Sequence, residues 1–417
     1  MVVAVLMYSF LNEYLDFGLH ITLRHVFALV LIASAVVLFL YKPDIPRGFT
    51  AVKEACMYSI PLLIIACTSL LIWFAGTADV DVISRGLSST FIYTNMLSCA
   101  LGAGALLYVF GNRGVWYNLV AILLANILML ITIIAQNGLG PFLSEFITLI
   151  VTFAGETGDI IIRAEVHELA FCLGAYLIYM LYKPRRDPVY IILLLLSLFC
   201  FLAAFKRIAM IAIVIALVFG YLLKFVARFN GKTASRLVTV LSILVIALLL
   251  GYIALIKMDV FALLEDAGIN TSGRVVIYNA VDKFYEFHPG FWGHGIGFLT
   301  YQLNTFIKIG VAGVRNDFLQ LYIDLGFWGY ILWLVSMTLI RVWYFGRKGN
   351  TDGAIVTFML TVYLVVVSST DNTMNYPLLT GVLAILMMGP GFEERAQDTE
   401  RKLFGRIHTR EVRDSLL

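Results

Sequence analysis

Apolar residues run along this chain in continuous stretches of roughly 20 rather than in alternation, the length a helix needs to cross about 30 Å of hydrocarbon at about 1.5 Å per residue. Continuous runs argue for helices and against a barrel, whose strands would alternate. The pattern predicts about twelve spans: 1–18, 21–41, 55–76, 87–111, 116–137, 164–183, 187–206, 207–228, 236–257, 318–343, 353–371 and 375–391. The first of these is interrupted by Glu13 and Asp16.

Lysine and arginine in the short loops orient the spans. The loops after the even-numbered spans carry Lys42, Arg47, Lys53, Arg113, Lys183, Arg185, Arg186, Lys224, Arg228, Lys232, Arg236, Arg341, Arg347 and Lys348, so these loops are expected to be cytoplasmic. The tail at 392–417 adds further basic residues on the same side, and an even count places both termini inside.

Two segments on the opposite, outer side break the pattern. Asn137 to Arg163, with an interfacial part at 138–162, is expected to lie on or dip into the membrane surface. Residues 258–317 are too polar to cross and too aromatic for a disordered linker. They should fold as a small helical cap. The resulting division is 1–257 (nine spans), 258–317 (cap), 318–391 (three spans) and 392–417 (cytoplasmic tail).

Composition agrees with the pattern, since 61% of the 417 residues are hydrophobic and only 14% charged. The first apolar run lacks the basic start and small-residue cleavage site of a signal peptide. All five cysteines, Cys56, Cys67, Cys99, Cys172 and Cys200, fall in apolar runs and read as small core hydrophobes rather than a disulfide framework. A net charge of +3 is too small to imply a nucleic-acid partner.

Basic residues recur where spans begin on the outer side: Lys206 and Arg207 at span eight, Arg315 and Asn316 at span ten, Arg163 before span six. A helix starting there presents unpaired N–H groups and its positive dipole end to the same space as the basic side chain. Ser272-Gly273-Arg274 repeats the arrangement in the cap, with Ser272 as the expected N-cap and Val276, Ile277, Val281 and Phe284 as one apolar face. Such sites suit phosphate, whose oxygens match the guanidinium fork in pairs. A single arginine at a membrane helix end often snorkels to headgroups instead. Three of them, Arg207, Arg274 and Arg315, set against the positive-inside tendency, favour anion binding.

Gly293, Gly295 and Gly297 allow either a tight positive-φ loop or close approach of a ligand. Phe291, Trp292, Tyr285, Phe298 and Tyr301 suit either sugar faces or the cap's own core. His288, His294 and His167 lack zinc-ligand spacing, so no metal or other cofactor is expected.

The order of these elements over residues 163 to 391 resembles the O-antigen ligase and Wzy-type polysaccharide polymerase superfamily. The resemblance rests on Ser272-Gly273-Arg274, the Gly-x-Gly-Ile-Gly element at 293–297, Asn316-Asp317-Phe318-Leu319-Gln320 with Leu325-Gly326-Phe327-Trp328-Gly329 beyond it, the Lys206-Arg207 pair, and Arg163 to Ala170 entering span six. Relatives commonly carry His-Asn where this chain has Arg315-Asn316, and often Asn where it has His167.

The resemblance implies an all-α, GT-C-like glycosyltransferase of a bacterial plasma membrane. It would move glycan from a polyprenyl diphosphate to an acceptor sugar at the outer face. Its partners would be lipid-linked donor and acceptor, membrane lipids and, for a polymerase, a chain-length regulator. Diphosphate and glycan ligands would be Arg207, Arg274, Lys206, Arg163, Asn316, Glu165 and Asp371, with Arg315 and His167 as catalytic candidates.

Base candidates are His167, Glu165, Glu168, His294 and Asp317. Asp317 could instead cap span ten, Glu165 and Glu168 could pair with Arg163, and Asp371 could hold an arginine. The absence of His before Asn316 leans toward polymerase over ligase. A lipid-linked sugar carrier would need charged or helix-breaking positions near span midplanes. The largely uninterrupted spans speak against it.

Overall fold

The computed structural model describes residues 23–75, 80–152, 167–204, 206–268, 273–307 and 314–393. Every regular element among them is helical. In chain order these are α1 (Leu23–Tyr41), α2 (Ile45–Phe74), α3 (Val80–Phe110), α4 (Arg113–Asn137), α5 (Leu139–Thr152), α6 (His167–Tyr182), α7 (Pro188–Ala203), α8 (Arg207–Phe229) and α9 (Gly231–Lys257). Next come the short α10 (Val260–Asp266), α11 (Arg274–Val281) and α12 (Phe298–Gln302). The chain closes with α13 (Asp317–Val335), a π-helical turn at Ser336–Ile340, α14 (Arg341–Arg347), α15 (Thr351–Ser368) and α16 (Pro377–Glu393).

Six helical stretches among the described residues are long and apolar enough to cross a membrane: α2, α4, α8, α9, Asp317–Arg347 and α15. Further apolar stretches accompany them, at Ala28–Tyr41 within α1, Met96–Phe110 within α3, Glu168–Tyr182, Pro188–Ala203 and Pro377–Glu393. The protein is therefore an all-helical membrane protein among its described residues. Six of the predicted spans therefore have the required length and apolarity among the described residues, whereas α6 and α7 have 16 residues each and span 1–18 lies outside the described residues. Large apolar side chains such as Leu40, Ile192 and Leu248 are exposed along the helices, the inverse of a water-soluble surface.

Side-chain oxygens start several of these helices by accepting otherwise orphaned N–H groups. Asp187 accepts from Val189 ahead of α7, Asn230 from Lys232 and Thr233 ahead of α9, and Asn350 from Gly353 ahead of α15. The most enclosed span is α15, 72% of whose core window is buried against 22% for α9. Small residues let its neighbours approach. Ala209, Ala212, Ala216 and Gly220 form one buried stripe on α8, and a methyl at Gly220 would strike Met359 of α15. On α6, a methyl at Gly174 would strike Tyr363, whose hydroxyl donates to the Phe171 carbonyl at 2.9 Å. This packing fixes the start of α8 beside the end of α15.

Of the cysteines, Cys172 and Cys200 are buried and Cys56 and Cys67 exposed, so the latter two lie outside the core expected for them.

The segment after α9 does not have a core of its own. Its Ile277, Tyr278, Val281, Tyr285, Ile296 and Leu299 share one apolar cluster with Phe318, Tyr322, Tyr330 and Trp333 of α13. Phe291 and Phe298 also pack here, as the core reading of the aromatics requires, whereas Trp292 is 77% exposed. The predicted face of α11 shifts by one position, with Ile277, Tyr278 and Val281 buried and Val276 turned out.

Candidate functional site

The loop between α15 and α16, residues 369 to 376, is the point where the predicted site residues converge. Lys206, at the N-cap position of α8, sets its Nζ 3.5 Å from Asp371 Oδ2 and 5.7 Å from the ring centroid of Phe171. One residue earlier in the loop, the Thr370 carbonyl accepts from Arg274 Nη2 at 3.3 Å. Two cations from separate parts of the chain therefore engage consecutive loop residues. Asp371 Oδ1 accepts from Tyr376 Oη at 3.1 Å and from the Asn372 amide at 2.8 Å. Phe171 stacks on Tyr376 and completes this wall.

Asp317 holds the loop from below. Its Oδ2 accepts from Thr373 Oγ1 at 2.8 Å and from the Met374 amide at 3.0 Å, and the residue is buried. It therefore ties the loop to the first turn of α13, and the cap of that helix is the preceding residue. Asn316 Oδ1 accepts from Phe318 and Leu319 N–H at 3.1 and 3.2 Å, while its Nδ2 donates to Tyr252 Oη at 3.0 Å and Tyr278 Oη at 2.9 Å. With both lone pairs and both N–H groups engaged, Asn316 has no capacity left for a sugar. Its expected role as a ligand is replaced by one as a junction between α9, α11 and α13. Tyr252 extends the junction to the loop by donating to the Ser369 carbonyl at 3.2 Å.

Two arginines stand open at the rim. Arg207 opens α8 beside Lys206, and Arg315 precedes the Asn316 cap. Both are exposed and neither pairs with a carboxylate among the described residues. Arg315 has φ +53°, a left-handed conformation costly for a residue with a Cβ. Arg274 starts α11 after Gly273, which occupies the cap position with φ +73° and forms no side-chain cap. The Ser272 expected there lies outside the described residues, as do Arg163, Glu165 and the side chain of His167, the first residue of α6. Glu168 binds the Leu378 amide at the start of α16.

His294 and the three glycines serve the fold. His294 Nε2 meets the Phe284 carbonyl at 2.9 Å, and the ring stacks on Phe298 with centroids 4.0 Å apart. Burial pushes its pKa below the ordinary 6.5, partly offset by the Phe284 hydrogen bond. Gly293, Gly295 and Gly297 have φ of 77°, 87° and 89°. The backbone that comes close to them belongs to α13. The His294 and Gly295 amides donate to the Asp324 carbonyl at 3.1 and 2.7 Å, and its buried carboxylate accepts from Gly297 and Leu299 at 3.2 Å each. Helix α13 is itself broken at Gly326, with φ 72° and ψ 179°, where Phe327 N–H donates to the Phe291 carbonyl. The uninterrupted span expected here is thus broken.

Sequence reasoning also missed an ion pair inside the helix bundle. Helix α2 begins ten residues before the predicted span, which places Glu54 within it, buried and paired with Arg341 of α14. Arg341 also donates to the Met387 carbonyl of α16 from Nε at 3.2 Å and Nη2 at 2.9 Å. The available signal was a lone acid and a lone base flanking apolar runs near one end of the bundle. Thr373, Tyr376, Tyr252 and Tyr278 carried no distinguishing spacing.

Residues 191–334, which run from α7 through the cap into α13, match the family described as O-antigen ligase. Over this stretch, about a third of the chain, the sequence is similar to that family. The match covers the elements that supply Lys206, Arg207, Arg274, Arg315 and Asp317, and stops before the loop that supplies Asp371. No curated protein matches the chain.

Proposed function

We propose that this protein is an O-antigen ligase/Wzy-type polymerase of surface polysaccharide. It transfers glycan from a polyprenyl diphosphate to the non-reducing end of a second lipid-linked repeat unit, at the outer face of a bacterial plasma membrane. The observation that carries this reading is the attachment of Lys206 and Arg274 to the consecutive residues Asp371 and Thr370. It gathers cations, a carboxylate and two helix starts at one end of the bundle. The GT-C-like arrangement of about twelve spans with cytoplasmic termini belongs to the same proposal.

In this mechanism the acceptor hydroxyl oxygen attacks the donor's anomeric carbon, and the bond from that carbon to the phosphate oxygen breaks. The electron pair leaves with the diphosphate, whose growing charge is met by Arg207, Arg274, Arg315 and Lys206. The hydroxyl proton passes to Asp371. This carboxylate is part-exposed at the loop, whereas Asp317 is buried beneath Thr373 and Met374 and His294 is stacked in the cap.

The test is incubation of the purified protein with polyprenyl-diphosphate repeat units, with chelator and without nucleotide sugars, and separation of products on a gel. A ladder supports polymerisation. Transfer only to added lipid A-core would assign ligase activity instead. Absence of product with every lipid-linked donor, together with unchanged donor binding by Arg274→Ala, would sink the assigned role.

A further inference from the structure

The end of the bundle remote from the candidate site gathers cations over aromatic rings. Helix α8 runs from Arg207 at the site to Phe229 at this far end, and α15 begins there, with Thr351 Oγ1 3.2 Å from Ser235 Oγ of α9. Just before α15, Arg347 Cζ lies 4.5 Å from the ring centroid of Trp343. Lys53 Nζ from α2 and Lys348 Nζ lie 4.4 and 5.0 Å from the single ring of Tyr344.

Several other cations at this end already have partners. Arg341 pairs with Glu54 and Lys183 with Glu393, while Lys224 donates to the Tyr182 carbonyl and Arg47 to that of Leu107. Lys53 and Arg347, by contrast, meet no carboxylate among the described residues. We propose that Lys53 and Arg347 bind the phosphate headgroup of an anionic phospholipid.

Two physical reasons support this. A ring face attracts a cation and restrains its long side chain, so less rotamer entropy remains to be lost when a phosphate arrives. Trp343 is 47% exposed beside Arg347, and an indole facing out at the end of a membrane helix belongs at headgroup depth. A soluble anion would use the cations but not the indole. The inference is independent of the glycosyl-transfer reading.

The experiment is native mass spectrometry of the full chain in neutral detergent, titrated with phosphatidylglycerol or phosphatidylcholine of matched acyl chains. The expected result is a preference for phosphatidylglycerol in the wild type that falls about fivefold per basic residue removed in Lys53→Gln/Arg347→Gln. Arg185→Gln is the control, because Arg185 lies over Trp116 at 5.1 Å, away from this cluster. It should keep the preference.

Equal binding of the two lipids by the wild type would overturn the proposal. So would full selectivity in the double variant, a loss as large in Arg185→Gln, or displacement of the lipid by inorganic phosphate at equal concentration. Monodisperse elution of each variant shows that it folds, and Arg347→Gln alone replaces a double variant that fails this check.

Discussion

Lys206 Nζ lies 3.5 Å from Asp371 Oδ2, joining the start of α8 to the loop that follows α15. The two residues are 165 positions apart in the chain, and the small-residue stripe of α8 against α15 is what brings them together. Both are mostly shielded, with side-chain exposures of 16% and 18%. If they act together on a diphosphate and an acceptor hydroxyl, Lys206→Ala and Asp371→Asn should each lower turnover by about 10²-fold or more. In a double-mutant cycle the losses should fail to add, because each variant disables the same reacting assembly. Breaking a pair this shielded also costs stability, so turnover is compared at a temperature at which each purified variant remains folded.

The glycine element gives a sharper test of fold than of chemistry. A methyl at Gly293 would overlap the backbone of Leu325 and Gly326, and φ of 77° already disfavours any side chain there. Gly293→Ala should therefore destabilise by about 2 kcal/mol or more, combining the left-handed penalty with displacement of a helix break. Gly251, on α9 with open space around its Cα, is the contrast. Gly251→Ala should be neutral or stabilising by about 0.5–1 kcal/mol. Denaturation in one detergent decides both, and a Gly293→Ala protein as stable as wild type would contradict the loop–helix contact.

These two cases also mark how far the sequence was legible. Uninterrupted apolar runs foretold helices, because hydropathy is a local property. The glycine element was recognisable as positive-φ backbone, but its partner, Asp324 and Gly326 on a later helix, is a tertiary fact. Asn316 read as a ligand because an asparagine beside an arginine looks like a site. Only the two tyrosines on α9 and α11 reveal that its hydrogen-bonding capacity is used. The Glu54–Arg341 pair escaped because each residue alone looks like a span boundary.

That ion pair makes its own prediction. Glu54 and Arg341 are 1% and 4% exposed, so removing one leaves an uncompensated charge among helices. Arg341→Met should cost about 3–5 kcal/mol, whereas Glu54→Leu/Arg341→Met should recover most of the loss, because two apolar side chains need no counter-ion. Thermal stability of the three proteins measures the difference. A double variant as unstable as the single one would mean that the Met387 carbonyl, which Arg341 also binds, matters more than Glu54.

His294 gives the cap a pH dependence of defined sign. Burial between Phe298 and Phe291 pushes its pKa below 6.5, so the folded protein binds this proton less readily than the unfolded chain does. The stabilisation is complete above about pH 6.5 and is lost as pH falls through the folded value. Protonation also sets a second donor against the apolar rings that enclose the imidazole. Acidification from pH 7.5 to pH 5 should therefore loosen the cap before the α8–α15 core, seen as faster amide exchange over 285–299 than over 209–220. His294→Phe keeps the ring stack and removes the titration. Its exchange over 285–299 should respond less to pH in this range than the wild type's, with the Asp324 carboxylate that accepts from Gly297 and Leu299 left as the remaining titrating contact. A wild-type cap whose corrected exchange is flat across the same interval would contradict the enclosed, neutral imidazole.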